Sequence, residues 1–287
     1  MFAPTLARTA SQFRSNNPLT VDEIARYAPS VLASEAHESR GERYAYIPTI
    51  DVLDGLRKEG FVPYAVAQTR VKDQTKREHT KHLVRMRHES QIGALQRGGI
   101  VGAEEIPEII LVNSHDGTSS FQLMSGMFRL VCSNGLIAGN IQDDIRIRHT
   151  GNIIGDVIEG SYQVLDSLKE ITERVDHYKG IELSAPEQLL LANAAIDLRW
   201  DRDEVTHQAP VDASSLVRPR RTADVKPDLW TTFNRIQEHI IKGGVRARMT
   251  NGRRTTTRAV QGVNENVKLN KALWALADGF AALKQSH

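Results

Sequence analysis

The chain is poor in the residues that would commit it to several familiar kinds of chemistry. It has a single cysteine, Cys132, in 287 residues, so it cannot form an internal disulfide, in agreement with a reducing, cytoplasmic setting. Its longest apolar runs fall far short of the roughly 18 residues that a membrane helix needs, and no membrane partner is expected. The opening "MFAPTLARTASQFRSNN" has no apolar stretch of signal-peptide length. No Walker loop or dinucleotide fingerprint is present, because "GALQRGG" lacks the Lys and Ser/Thr that phosphate and magnesium require. His79, His82 and His88 stand at irregular spacing without a second cysteine or tight acidic pair to complete a coordination set, and Asp143 and Asp144 fit a solvated turn. Neither a metal nor a cofactor is therefore expected. No internal repeat or low-complexity tract interrupts the chain.

What remains is globular: 40% of the residues are hydrophobic and 25% charged, enough for one large domain or two modest ones. The net charge of +2 conceals a strong division. Arg70 to Arg87 holds seven basic residues against two acids, and Lys226 to Lys271 holds ten against three, which leaves −10 on the remainder. Such asymmetry points to a polyanionic partner rather than to a fold.

Local patterns give the element order. "LTVDEIARYAPSV" opens the ordered chain, with Thr20 and Glu23 spaced as a capping box and Pro29 closing the helix. A short strand is expected at Tyr44 to Ile47, then a helix in "TIDVLDGLRKEGF" that ends at Gly60. "FVPYAVAQTRV", "HLVRMRH" and "EIPEIILVNS" have strand character, and a charged connection joins the first two. "HDGT" marks a turn, since Gly117 accepts positive φ at no steric cost. Phe121 to Leu136 is either one strand or a strand broken at Gly126. From Gly151 to Tyr178 apolar residues recur at helical spacing. "SAPEQLLLANAAIDLRW" starts another helix with a Ser184/Glu187 box, and two further helices flank "KGGVRARMTNGRRTTTR". The expected fold is α+β: an antiparallel sheet core packed by a long helix, followed by a helical C-terminal part with a basic loop. The expected divisions are 1–43, an N-terminal helix and loop; 44–204, the core domain; 205–228, a linker; and 229–287, the C-terminal helical region.

Two groups of basic residues carry the functional reading. Lys242, Arg246, Arg248, Arg253, Arg254 and Arg258 lie among glycines and the hydroxyls of Thr255 to Thr257 with no acid between them. Guanidinium forks, exposed N–H groups and short hydroxyls all bind phosphate oxygens; a solvated loop that aids solubility is the plain alternative. The second group is Arg70, Lys72, Lys81, Arg85 and Arg87. Strand alternation puts Arg85 and Arg87 on one sheet face, with Tyr64 or Phe61 near for base stacking; an edge hairpin protected by charge is the alternative there. The nucleic-acid reading expects the two groups to meet in one continuous positive track. Guanidiniums tied to the protein's own carboxylates would remove it.

"NSHDGTSSFQLMSGMFRLVCSNG" is dense in polar groups, and catalysis by His115, Asp116 and His149 with Cys132 as nucleophile is one reading of it. The apolar flanks of Cys132 suggest burial, and Asp116 before Gly117 more simply builds a turn.

The blocks "IPTIDVLDGLRKEGFVP", "HLVRMR", "ILVNSHDGTSSFQLMSGMFRLVCSNGL", "RHTGN", "NRIQEHIIKGG", "RTTTRAV" and "NKALWALA" resemble the phage/plasmid-like family with a domain of unknown function, domain 932. The likeness runs from about Tyr44 to Leu283. It implies a mobile-element setting, a cytoplasmic location and work near DNA, and supplies no catalytic mechanism. The element order also resembles the core of phage single-strand annealing proteins, an analogy of architecture. On that analogy Asn113, His115, Asp116, Arg129, Asn134 and His149 are polar rim and corner residues that set strand register and meet backbone or a neighbouring subunit.

The favoured expectation is a non-enzymatic, homo-oligomeric nucleic-acid-binding protein of phage or plasmid, binding or annealing single-stranded DNA in recombination or replication. Two alternatives stay open. One is a protein-interaction factor that counters a host defence protein. The other is a metal-dependent or His/Asp enzyme acting on nucleic acid.

Overall fold

The computed structural model describes residues 11–41, 46–69, 71, 73–90, 105–129, 135–136, 145–146, 153–204, 206–248 and 252–285. An antiparallel meander forms its centre. The strands β1 (Ser11–Arg14), β2 (Phe61–Gln68), β3 (His82–His88), β4 (Glu105–Asn113), β5 (Gln122–Arg129) and β6 (Gly135–Leu136) lie side by side in chain order, and β7 (Ile145–Arg146) also pairs with β5. Residues close in sequence thus pair first, the cheapest route to an antiparallel sheet in loop-closure entropy. Pro63, which has no N–H to give the ladder, sits where the β2/β3 register shifts.

Alternation sorts the sheet into two faces. Val66, Val84, Met86, Ile109, Leu111 and Leu123 form one core with α1 (Val21–Tyr27), α2 (Thr49–Lys58) and the first half of α3 (Ile153–Lys179). On the other face Ile110, Val112 and Met124 meet Val263 at the start of α7 (Val263–Gln285). A second core lies beyond the sheet, built from the end of α3, α4 (Ala185–Ile196), α5 (Ala213–Val217), α6 (Leu229–Lys242) and α7. α3 joins the two: Val157 and Val164 belong to the sheet core, Ile171, Val175 and Tyr178 to the helical one. Its 27 residues span about 40 Å at 1.5 Å per residue.

Most sequence expectations hold at this level. Both capping boxes form, Thr20 with Glu23 and Ser184 with Glu187, and the sheet, long helix and helical C-terminal part are all observed. β5 runs through Gly126 without a break, up to Arg129. Three details differ. Ser11–Arg14 is an edge strand that pairs with β2, ahead of the first expected element. Tyr46 and Ile47 are outside any strand, and Ile47 is buried in the sheet core. Residues 205–228, expected as a linker, contain α5 and place Val211, Ala213 and Leu216 in the helical core.

Candidate nucleic-acid interface

The basic segment after α6 is a structured ribbon, where the sequence suggested a loop. α6 is capped by Asp228, whose carboxylate accepts from the Thr231 N–H and hydroxyl at 2.7 and 2.8 Å. It ends at Gly243, φ +67°, and here glycine is required twice over. A Cβ would lie 2.6 to 2.7 Å from the backbone of Arg258 and Thr257, and an L side chain rarely adopts that φ. The chain then forms β8 (Arg246–Arg248) and returns as β9 (Arg254–Thr256), paired Arg246 with Thr256, Ala247 with Thr255 and Arg248 with Arg254.

The ribbon is fastened at its foot. Gly244 N–H donates to Thr257 O, Thr257 N–H to Val245 O, and Val260 N–H to Ile241 O, each at 2.8 Å. On the outer side of β8, Arg248 N–H donates to Pro210 O at 2.8 Å and Val211 bridges Ala247. Arg220 donates to the Gly243 carbonyl at 2.9 Å, and Arg199 to that of Arg258. Val245, Val260 and Ala247 pack on the helical core. Since Ala247 faces the core, its strand neighbours Arg246 and Arg248 point away from it, on the face they share with Arg254 and Thr256. All three arginines are exposed, as are Arg253 and Arg258. Among the described residues no carboxylate forms an ion pair with Arg246, Arg248, Arg254 or Arg258. Arg248 and Arg254 stand directly opposite each other, a like-charge cross-strand pair that disfavours the ribbon until an anion lies between them.

Lys242 departs from the expected set: its ammonium is 2.8 Å from Glu238. Glu238 also takes the Arg221 guanidinium at 2.5 Å. Burial would raise its carboxyl, but the hydrogen bonds from Arg221 and Lys242 outweigh that and hold it at about 2. Lys242 is therefore part of the ribbon's foundation.

The sheet group differs more sharply. Arg85 and Arg87 share a face, as alternation requires, but that face is closed. Glu108, with no exposed surface, accepts from Arg85 Nε at 2.5 Å and Arg87 Nε at 2.8 Å. The Arg87 guanidinium lies 4.1 Å above the Tyr64 ring. Burial pushes Arg85 down to about 10, still charged at neutral pH. Lys81 is buried as well, its ammonium lowered by burial against a nearby Asp116 charge. Phe61 and Tyr64, the expected stacking surfaces, are 0% and 4% exposed. Arg85, Arg87 and Lys81 therefore form no open basic face, because Glu108, on the neighbouring strand β4, neutralises the two arginines from inside the protein. Arg70 and Lys72 lie outside the described residues.

The "NSHDG" segment forms a buried corner. Asn113 Nδ2 donates to Thr49 Oγ1 at 2.9 Å and Ile47 O at 3.2 Å, fastening the start of α2 to the end of β4. His82 Nδ1 lies 3.2 Å from Thr80 O and 3.0 Å from Ser30 Oγ, and its Nε2 is 2.9 Å from Thr49 Oγ1. Ser30 in turn donates to Gln68 at 2.9 Å. His115 closes the group, its ring 5.1 Å from that of His82 and its Nε2 3.4 Å from Thr49 Oγ1. Burial pushes His82 down to about 3 and His115 to about 4; the charge of His115 adds to the first and that of His79 to the second. Both rings are neutral in the folded protein, with no exposed surface. Asp116 builds the turn by accepting from Thr118 N–H at 3.0 Å and its hydroxyl at 2.6 Å. Asn113 and His115 are interior, whereas Asp116 is half-buried in the turn. The side chain of Arg129, together with Cys132, Asn134 and His149, lies outside the described residues. Among those described, no group of three or more His, Cys, Asp or Glu could hold a metal ion, and no helix is long and apolar enough to cross a membrane.

No local sequence signal marks Ser30, Thr49 or Gln68 as members of this corner, which they reach only through the fold. His82 has one such signal: it alternates with Val84 and Met86, which places it on the core-facing side of β3.

The fold and its exposed ribbon define an α+β protein with a meander sheet, a helical module and a basic two-stranded projection. The chain belongs to the family described as "Domain of unknown function (DUF932)", which matches residues 36–274. It is similar to the UPF0380 protein YfjQ of Escherichia coli (strain K12), 48% identical over 279 residues, covering 95% of this chain and 97% of that one. It is also similar to the UPF0380 protein YafZ of the same organism, 47% identical over 281 residues, covering 96% and 98%. No solved structure matches.

Proposed function

We propose that this protein binds nucleic acid through the phosphate backbone, with the β8–β9 ribbon as its contact surface. The observation that carries the reading is the outward face bearing Arg246, Arg248 and Arg254. These are bidentate phosphate donors that meet no internal carboxylate among the described residues. Arg248 and Arg254 repel each other across the ribbon, and that arrangement becomes favourable once a phosphate group sits between two guanidiniums. Thr256 adds a hydroxyl on the same face. The work in recombination or replication of a mobile element rests on the family resemblance and is part of the same proposal. Lys81, Arg85 and Arg87 are buried and lie outside this interface, so among the described residues the ribbon carries it.

A salt titration of wild type and of the Arg248→Ala/Arg254→Ala double variant tests this. Each phosphate contact contributes a log–log slope of roughly −0.7 to −0.9. The double variant is expected to lose one to two contacts' worth of that slope and to bind more weakly at every salt concentration. Affinity that is insensitive to salt, or equal in the two proteins, would overturn the proposal.

A further inference from the structure

We infer that the ribbon's partner is a double-stranded nucleic acid rather than a single strand. This rests on the phosphate-binding reading above and narrows it.

Single-strand binding draws much of its free energy from bases stacked on aromatic side chains, about 1–3 kcal/mol per base. The stretch from Lys242 to Val260 contains no Phe, Tyr or Trp. The two aromatic residues of β2 that a basic sheet would have offered are buried, Tyr64 beneath the Arg87 guanidinium and Phe61 edge-on to His88 and Tyr162. A flexible strand laid on the ribbon would therefore have to be ordered without stacking to offset the lost entropy.

The geometry suits a partner that is already ordered. Arg246 and Arg248 are two residues apart on one strand, about 6.6 Å at strand rise. Arg254 faces Arg248 from the other strand. The array is fixed in place by the hydrogen bonds to Thr257, Pro210 and Gly243 and by the contact of Val245 and Val260 with the helical core. A rigid cationic face gains most from phosphates that are rigid too. A duplex also presents about one charge per 1.7 Å of axis, twice the density of one strand, so the same few arginines release more counterion. Duplex DNA and duplex RNA share this chemistry, and the test separates them.

Fluorescence anisotropy of the full chain against a mixed-sequence duplex DNA, its single strand, and a duplex RNA of the same length, each over a range of salt, reads the preference directly. We expect at least one duplex to bind about tenfold tighter than the single strand, with the steeper salt slope of the two. The ratio of the two duplex affinities then names the source. A single strand that binds as tightly as both duplexes, or tighter, overturns this inference and leaves the phosphate-binding proposal standing. No binding to any of the three at low salt overturns both.

Discussion

Arg85 and Arg248 are the same residue type in the same kind of element, each on an antiparallel strand with a second arginine nearby, and they do opposite things. Arg85 and Arg87 converge on Glu108 inside the protein, with side-chain exposures of 11% and 6% against 0% for the carboxylate. Arg248 and Arg254 face solvent with no carboxylate paired to either among the described residues. The first arrangement spends its charge on the fold. The second leaves it for something else. A count of basic residues along the chain cannot separate the two cases. The decisive fact in the sheet is one acid on the neighbouring strand, at a position that only the β3/β4 register reveals.

The hardest test of this contrast removes the acid. Glu108→Gln leaves two interior guanidiniums without their counter-charge, and breaking such a buried pair costs about 3–5 kcal/mol. Urea unfolding should show a loss of that order. Nucleic-acid affinity, measured where the variant is still folded, should be unchanged. A loss well under about 1 kcal/mol would mean that water reaches these arginines, and the distinction between the two regions would fail.

A second break separates the regions by pH. His82 and His115 are held at about 3 and about 4 in the folded state by burial, below the ordinary value near 6.5. Above roughly pH 6.5 both states are neutral there and the two rings contribute no pH dependence. As pH falls below it the unfolded chain takes up protons that the folded chain refuses, so stability declines until the folded values are reached. Each ring contributes up to about 1.4 kcal/mol per pH unit across that window. The ribbon's arginines do not titrate there, so the salt slope of binding should stay constant from pH 8 down to about 6.5 and beyond it for as long as the protein is folded. Denaturation curves at a series of pH values check the first statement. A stability profile that is flat between about pH 6.5 and 4 would mean that the two rings are charged, and solvated, in the native state.

Much of the architecture was legible because it is written locally. Thr20/Glu23 and Ser184/Glu187 mark helix starts by short-range hydrogen bonds, and the spacing from Ile153 onward fixes one face of α3. What could not be read depends on pairing across distance. Ser11–Arg14 carries no strong strand signal and becomes a strand because β2 offers it an edge. The meeting of His82, His115, Thr49 and Ser30 needs the ends of β3 and β4, the start of α2 and the turn after α1 brought together. The ribbon lies between these cases. "RARMTNGRRT" contains an Asn-Gly turn signal between short alternating segments, but its density of charge is equally that of a solvated loop. The paired glycines Gly243 and Gly244 mark a helix end in the sequence, but only the fold shows that Gly243 also admits the returning backbone of Arg258.

The smallest effect is the most pointed, because its sign is opposite to that of Glu108→Gln. Arg254→Glu places a carboxylate directly across from Arg248, which reproduces in the ribbon the kind of pairing that Glu108 makes in the sheet. A cross-strand opposite-charge pair contributes roughly 0.2–1 kcal/mol, where a like pair costs stability. The variant should therefore be as stable as the wild type or slightly more so, most clearly at low salt, where exposed charges are least screened. Its nucleic-acid affinity should fall, because Arg248 now has an internal partner and the face carries a repelling charge. Arg254→Gln separates the two effects: it removes the repulsion without adding a pair, and its affinity should lie between those of wild type and Arg254→Glu. A glutamate variant that lost stability would show that Arg248 and Arg254 are already held apart or bridged. One that kept its affinity would move the contact surface off this face of the ribbon.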